Sequence, residues 1–126
     1  MSAAALDHVG VVTRNLTETA DQYERLGFTV TPFARSADGR IGNRCAMLRH
    51  GYIELTAIAD ASHVSATLDR FLARYAGIHI IALAITDEAS ELQRLARASL
   101  KATAVSFERS VDGSDEIGRF KMITAP

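Results

Sequence analysis

The order strand, helix, strand, strand occurs twice along this chain, and that repetition restricts the fold more than any single residue does. The first run opens with Leu6-Asp7-His8-Val9-Gly10-Val11-Val12, where Val9 and Val11 share one face of a strand and His8, Gly10 and Val12 the other. Asn15 then predicts a helix N-cap, with Glu18 in capping-box position, and Leu16, Ala20, Tyr23 and Leu26 recur at helical spacing until Gly27. Residues 28–36 are rich in β-branched and aromatic side chains and read as a second strand. Residues 37–42 are turn chemistry, and residues 43–48 read as a third strand. After His50-Gly51 a fourth strand runs over 52–58, with Ile53, Leu55 and Ala57 on one face and Tyr52, Glu54 and Thr56 on the other.

Val64, Leu68, Phe71, Leu72 and Tyr75 predict a helical connector that Gly77 ends. The second run follows. Residues 78–86 form an almost continuously apolar strand carrying His79, and Asp87 caps a helix with Ala89, Leu92, Leu95 and Ala96 turned inward. Strands over 101–108 and 116–124 then flank the turn Val111-Asp112-Gly113-Ser114. Two such copies about 70 residues apart predict an α+β fold of paired βαβββ modules curving around an open cleft. The chain reads as one domain, 1–126, with a first module over 1–58, a helical connector over 59–77 and a second module over 78–126 that lacks its last strand. Three explanations stay open: the protein continues beyond these residues, a partner chain supplies the strand, or the cleft is incomplete. An unpaired edge beside residues 116–124 predicts self-association, most simply a homodimer.

Charge and cysteine content narrow the function classes. With 14 basic against 15 acidic side chains the net charge is -1, so no overall field draws the chain to nucleic acid or to an anionic membrane. The single cysteine, Cys45, cannot close an internal disulfide, and beside Ala46 and Met47 it reads as a small core residue rather than a reactive thiol. The first residues show no basic cluster ahead of an apolar run, and no apolar stretch approaches the roughly 20 residues that cross a bilayer. The expectation is a soluble, cytoplasmic protein.

A glutamate in the middle of a strand needs a reason, and so does a histidine on the strand face not needed for helix packing. His8 and Glu54 therefore form the first candidate pair, since a divalent cation takes imidazole and carboxylate ligands that converge from different strands. The plainer alternatives are a hydrogen-bonded structural histidine and a glutamate facing water. His79 is a third candidate, with a strand-end structural role as its alternative. His50 and His63 fall in a turn and in the connector and read as solvated. Arg35, Asn43, Arg49, Arg119 and Lys121 read as solvent-facing strand residues by preference over cleft residues. The chain has no Gly-rich phosphate loop, no His-Glu-x-x-His, no paired cysteines and no Gly-x-Ser-x-Gly, and the nucleotide and zincin readings fall away.

The order of these segments resembles the glyoxalase/bleomycin-resistance/dioxygenase superfamily, also called vicinal oxygen chelate. More narrowly it resembles the glyoxalase-like domain group, on Leu26-Gly27-Phe28-Thr29-Val30-Thr31-Pro32, Gly42-Asn43-Arg44, Gly51-Tyr52-Ile53-Glu54-Leu55 and Phe71-Leu72-Ala73-Arg74. The resemblance implies a metal site at the cleft mouth with His8, Glu54 and His79 among its ligands and Glu54 as the group that moves a proton. It places the family's second histidine nearer Ile81, two residues beyond His79 along the same face, and its last glutamate ligand on the fourth strand of the second module, the one that this chain lacks. The implied activity is metal-assisted lyase, isomerase or extradiol dioxygenase chemistry on a small oxygenated or carbonyl metabolite, with Zn, Ni, Mn or Fe as the divalent ion. Its alternative is a metal-free protein that sequesters a small molecule, as bleomycin-resistance proteins do.

Overall fold

In the computed structural model, which describes residues 3–62 and 66–125, the elements follow the order read from the sequence. They are β1 (Ala3–Val12), α1 (Leu16–Arg25), β2 (Thr29–Val30), β3 (Ala34–Ser36), β4 (Ile41–Met47), β5 (Tyr52–Ile58), α2 (Ala66–Leu72), β6 (Gly77–Ile85), α3 (Glu88–Arg97), β7 (Thr103–Val111) and β8 (Ile117–Thr124). Both long helices start where a side-chain acceptor was expected. Asn15 Oδ1 accepts the Glu18 amide at 3.1 Å, and Asp87 Oδ1 accepts the Ser90 amide at 3.1 Å. The capping box of α1 is not reciprocal, because the Asn15 amide donates to Thr13 Oγ1 rather than to Glu18. Val64 and His63 lie outside the described residues.

One expected strand is two. The segment read as a single strand over 28–36 divides into β2 and β3, which pair with different stretches of β4: Thr29 with Met47 and Val30 with Ala46, then Ala34 with Asn43 and Arg35 with Gly42. Pro32 has no amide to donate, and the chain detours around it. Thr31 fastens the detour to β4, donating its amide to the Cys45 carbonyl and accepting the Cys45 amide at its Oγ1. Phe33 then turns its ring against Gly42, where a Cβ would lie 2.4 Å from the ring. That close approach is what the glycine permits.

The strands make one sheet in the order β6-β1-β5-β4-β3-β7-β8, with β2 pairing β4 off this path. All neighbours are antiparallel except β1 and β5. The first module contributes the connected run β1-β5-β4-β3, whereas the second is split, with β6 at one end of the sheet and β7-β8 at the other, so the modules meet along two seams, β1 with β6 and β3 with β7. In the first module β5 lies between β1 and β4. The matching place in the second module, between β6 and β8, is bounded by the two edge strands of the sheet. This is the α+β arrangement of paired modules around an open cleft, with the second module one strand short.

The core follows that asymmetry. Val12, Ala20, Ala34, Ala46, Leu55 and Ala57 are buried in the first module, where α1 lies on the Leu55 and Ala46 face of the sheet. In the second module Leu95 of α3 is buried, while Ile78, Ile81, Leu83, Ile117 and Phe120 are exposed. The expectation that Ala89, Leu92, Leu95 and Ala96 all turn inward is corrected. Ala89 and Ala96 are exposed and Leu92 is half-buried, because no strand lies beneath α3 between β6 and β8.

Candidate functional site

Strand alternation assigns the cleft face. In the first module the face turned away from α1 carries His8 and Gly10 from β1, Tyr52, Glu54 and Thr56 from β5, and Asn43, Cys45 and Met47 from β4. Register brings His8 beside Tyr52, Gly10 beside Glu54, and Cys45 and Asn43 beside Glu54 and Thr56 respectively. The two first candidates do meet: His8 Nε2 lies 3.4 Å from Glu54 Oε2, with both side chains largely but not wholly buried.

Each partner of this pair is held from behind. The Asp7 carboxylate lies 2.7 Å from His8 Nδ1, which assigns a proton to that nitrogen and turns Nε2 toward Glu54. The imidazole stacks on the Tyr52 ring with centroids 4.6 Å apart and planes 10° apart. Asn43 Nδ2 and Thr56 Oγ1 both donate to Glu54 Oε1, at 2.9 and 3.2 Å, leaving Oε2 for His8. Burial, and then the nearby Asp7, Glu54 and Cys45, push the Tyr52 phenol up to about 12, so it stays protonated and a donor near neutral pH. Burial followed by the Glu54 charge pushes the Cys45 thiol up to about 11, which agrees with its reading as an unreactive cysteine.

His79 reaches the same face by an irregularity. Gly10 pairs with Ile80 and Val11 with Ile78, so His79 is the extra residue of a β-bulge in β6. The bulge lays its ring over Gly10, where a Cβ would stand 3.0 Å from His79 Cε1, and the edge of its ring meets Phe71 of α2 at a centroid distance of 5.7 Å. Its Nδ1 is buried with no hydrogen-bond partner among the described residues, and burial lowers its pKa. Ile81 pairs with Val9 on the opposite face and is 68% exposed. The expectation that Ile81 and His79 share a face fails because the bulge shifts the alternation by one.

A divalent cation fits the pair as two ligands. Donors held at about 2.1 Å from one ion, at angles between tetrahedral and octahedral, stand about 3.0 to 3.4 Å apart, and Asp7 stands behind His8 where a carboxylate would orient an imidazole toward a cation. Among the described residues no group of three or more His, Cys, Asp or Glu side chains is arranged to hold a metal ion.

Asn43, expected to face solvent, is buried against Glu54, and that reading is corrected. Register explains the error: Asn43 stands across from Thr56 on the Glu54 face, a position invisible until β4 and β5 are paired. Arg109 received no role from the sequence. It shares the cleft face with Phe107 of β7 and, across the strand pair, Phe120 of β8. His50 is exposed, as expected.

A family model described as a glyoxalase-like domain matches residues 6–126. No curated protein matches the chain in sequence. Among solved structures, methylmalonyl-CoA epimerase from Mycobacterium tuberculosis superposes with a TM-score of 0.70 at 24% identity, over 86% of this chain and 79% of that one. A hypothetical protein from Staphylococcus aureus gives 0.78 at 13% identity over 96% of this chain, which spans 52% of its length. A hypothetical protein from Bacillus halodurans gives 0.68 at 16% identity, over 83% of each chain. These structural likenesses are of fold. No helix among the described residues is long and apolar enough to cross a membrane. With the family model spanning nearly its whole length and the paired-module fold agreeing, the chain belongs to the glyoxalase-like domain family of the vicinal-oxygen-chelate superfamily.

Proposed function

We propose that the cleft binds a small oxygenated or carbonyl metabolite and moves a proton on it, with His8 and Glu54 as the working pair. The observation that carries this reading is the approach of His8 Nε2 to Glu54 Oε2 at 3.4 Å. With Nδ1 protonated toward Asp7, a neutral imidazole and a carboxylate would face each other as two acceptors, so a proton or a cation belongs between them. A divalent ion held there by His8 and Glu54, with His79 as a further candidate ligand, would polarise a substrate oxygen and stabilise negative charge on it. Asn43 and Thr56 keep Glu54 aimed, Tyr52 supplies a protonated phenol beside it, and Glu54 carries the proton to or from a carbon next to the substrate carbonyl. Isomerase chemistry uses this arrangement most directly, and the epimerases among the structural neighbours support it over lyase or dioxygenase chemistry.

Metal uptake tests the reading. Purified protein supplied in turn with Zn²⁺, Ni²⁺, Mn²⁺ and Fe²⁺ is expected to take up about one ion per chain, and His8→Ala and Glu54→Gln to abolish that uptake. Stoichiometric uptake of none of the four would leave the enzyme reading without its chemical basis. The absence of a third convergent ligand among the described residues favours a second reading, a metal-free protein that sequesters a small molecule in the same cleft. We further propose a homodimer, supported by the apolar side chains left uncovered along β6 and β8.

A further inference from the structure

Arg109 lies on the cleft face of β7 with its guanidinium carbon 5.8 Å from the ring centroids of both Phe107 and Phe120, which stack on one another at 5.7 Å and 19°. These contacts hold the plane of the arginine but use none of its five N–H donors. The Nε is buried and has no hydrogen-bond partner among the described residues. The nearby pair Arg119 and Glu108, joined at 3.0 Å, belongs to the other face of the same two strands. Arg109 is nevertheless tied to the site already described: its positive charge is felt at the thiol of Cys45, the register partner of Glu54.

A buried guanidinium donor without an acceptor is costly unless something else brings the acceptor. Arginine is also the residue whose fork of donors matches two oxygens of one carboxylate. The flat faces of Phe107 and Phe120, the latter 44% exposed, leave apolar surface beside it on which an organic group would rest. We infer that Arg109 is the anion-binding residue of the cleft, and that the substrate is a small organic acid whose carboxylate pairs with Arg109 while its carbonyl or hydroxyl oxygen meets His8 and Glu54. This inference deepens the proposed function and rests on it for the second contact only.

Benzoylformate and its methyl ester test the inference, since the two differ chiefly in the negative charge. Titrated into the full chain by calorimetry, the acid is expected to bind at least about ten-fold more tightly than the ester. Arg109→Met is expected to bring the two to equal affinity, and Arg109→Lys, which keeps the charge and loses the fork, to retain part of the preference. Thermal melts of both variants confirm that they fold. Glu54→Gln is expected to weaken acid and ester by the same factor and leave their ratio unchanged, so failure of the His8 and Glu54 reading shows there and not in the Arg109 variants. Equal binding of acid and ester by the wild type, no saturable binding of the acid at millimolar concentration, or a preference that survives in Arg109→Met would overturn the assignment.

Discussion

Glu54 stays aimed because Asn43 and Thr56 hold one of its oxygens and leave the other toward His8. Asn43→Ala is expected to cost about 1 to 3 kcal/mol of stability, because it leaves a largely buried carboxylate oxygen with one donor fewer. It is also expected to weaken metal uptake by roughly 10 to 100-fold, the scale of losing an orienting neighbour; melts and metal titrations on the same samples check both. His8→Ala should act differently, weakening uptake by well over that range. A loss of stability with unchanged uptake would instead mark His8 as structural. At Gly10 the space for a side chain is already taken by His79. Gly10→Ala is therefore expected to displace the imidazole and destabilise by about 1 to 3 kcal/mol, an overpacking cost. His79 itself makes stability depend on pH. Its folded pKa is depressed by burial, so the unfolded chain takes up the proton first. The stabilisation is complete above the ordinary histidine value of about 6.5 and is lost as pH falls through the lower folded value. Melting temperatures from pH 7.5 down to 5 are expected to fall less in His79→Phe than in the wild type.

Among the elements, those with a clear period were legible in the sequence. Asn15 and Asp87 marked both helix starts, and the alternation in β5 placed Glu54 opposite the core side chains Leu55 and Ala57 before any strand was paired. What stayed hidden depends on register, which one strand cannot report about another. The bulge that turns His79 inward exists only in the pairing of β6 with β1, and alternation alone put His79 and Ile81 together. Asn43 looked like a solvent-facing strand residue because polar side chains on strands usually are, and Arg109 went unnoticed because it lies just past the strand read over 101–108, which β7 extends to Val111. Pro32 was the readable sign that residues 28–36 do not make one strand, since a proline inside a run argues against an unbroken one. Deletion of Ile78 is expected to restore plain alternation in β6, turn His79 to the other face and bring an isoleucine over Gly10 in place of the imidazole. Comparing the histidine ring signals of the variant and the wild type by NMR would show whether one ring has moved from burial to solvent.

For the whole molecule, the two free strand edges and the apolar side chains beside them leave the second module less well covered than the first. Sedimentation at tens of micromolar is expected to report a dimer, and a monomer would count against the proposed assembly. The seams between the modules are unequal as well. Along β1 and β6 the paired register runs from Ala3 with Ile85 to Val12 with Gly77, whereas β3 and β7 share only Ala34 with Val111, Arg35 with Ser110 and Ser36 with Arg109, extended by one bond from the Asp112 amide to the Phe33 carbonyl. The short seam is therefore the one expected to open first. Opening it would separate three residue pairs and carry Arg109 away from the strands that hold Glu54. Backbone amides of Arg35 and Ser110 are accordingly expected to exchange with solvent deuterium well before those of Gly10 and Ile80, and a small molecule that spans the cleft to slow the first pair selectively.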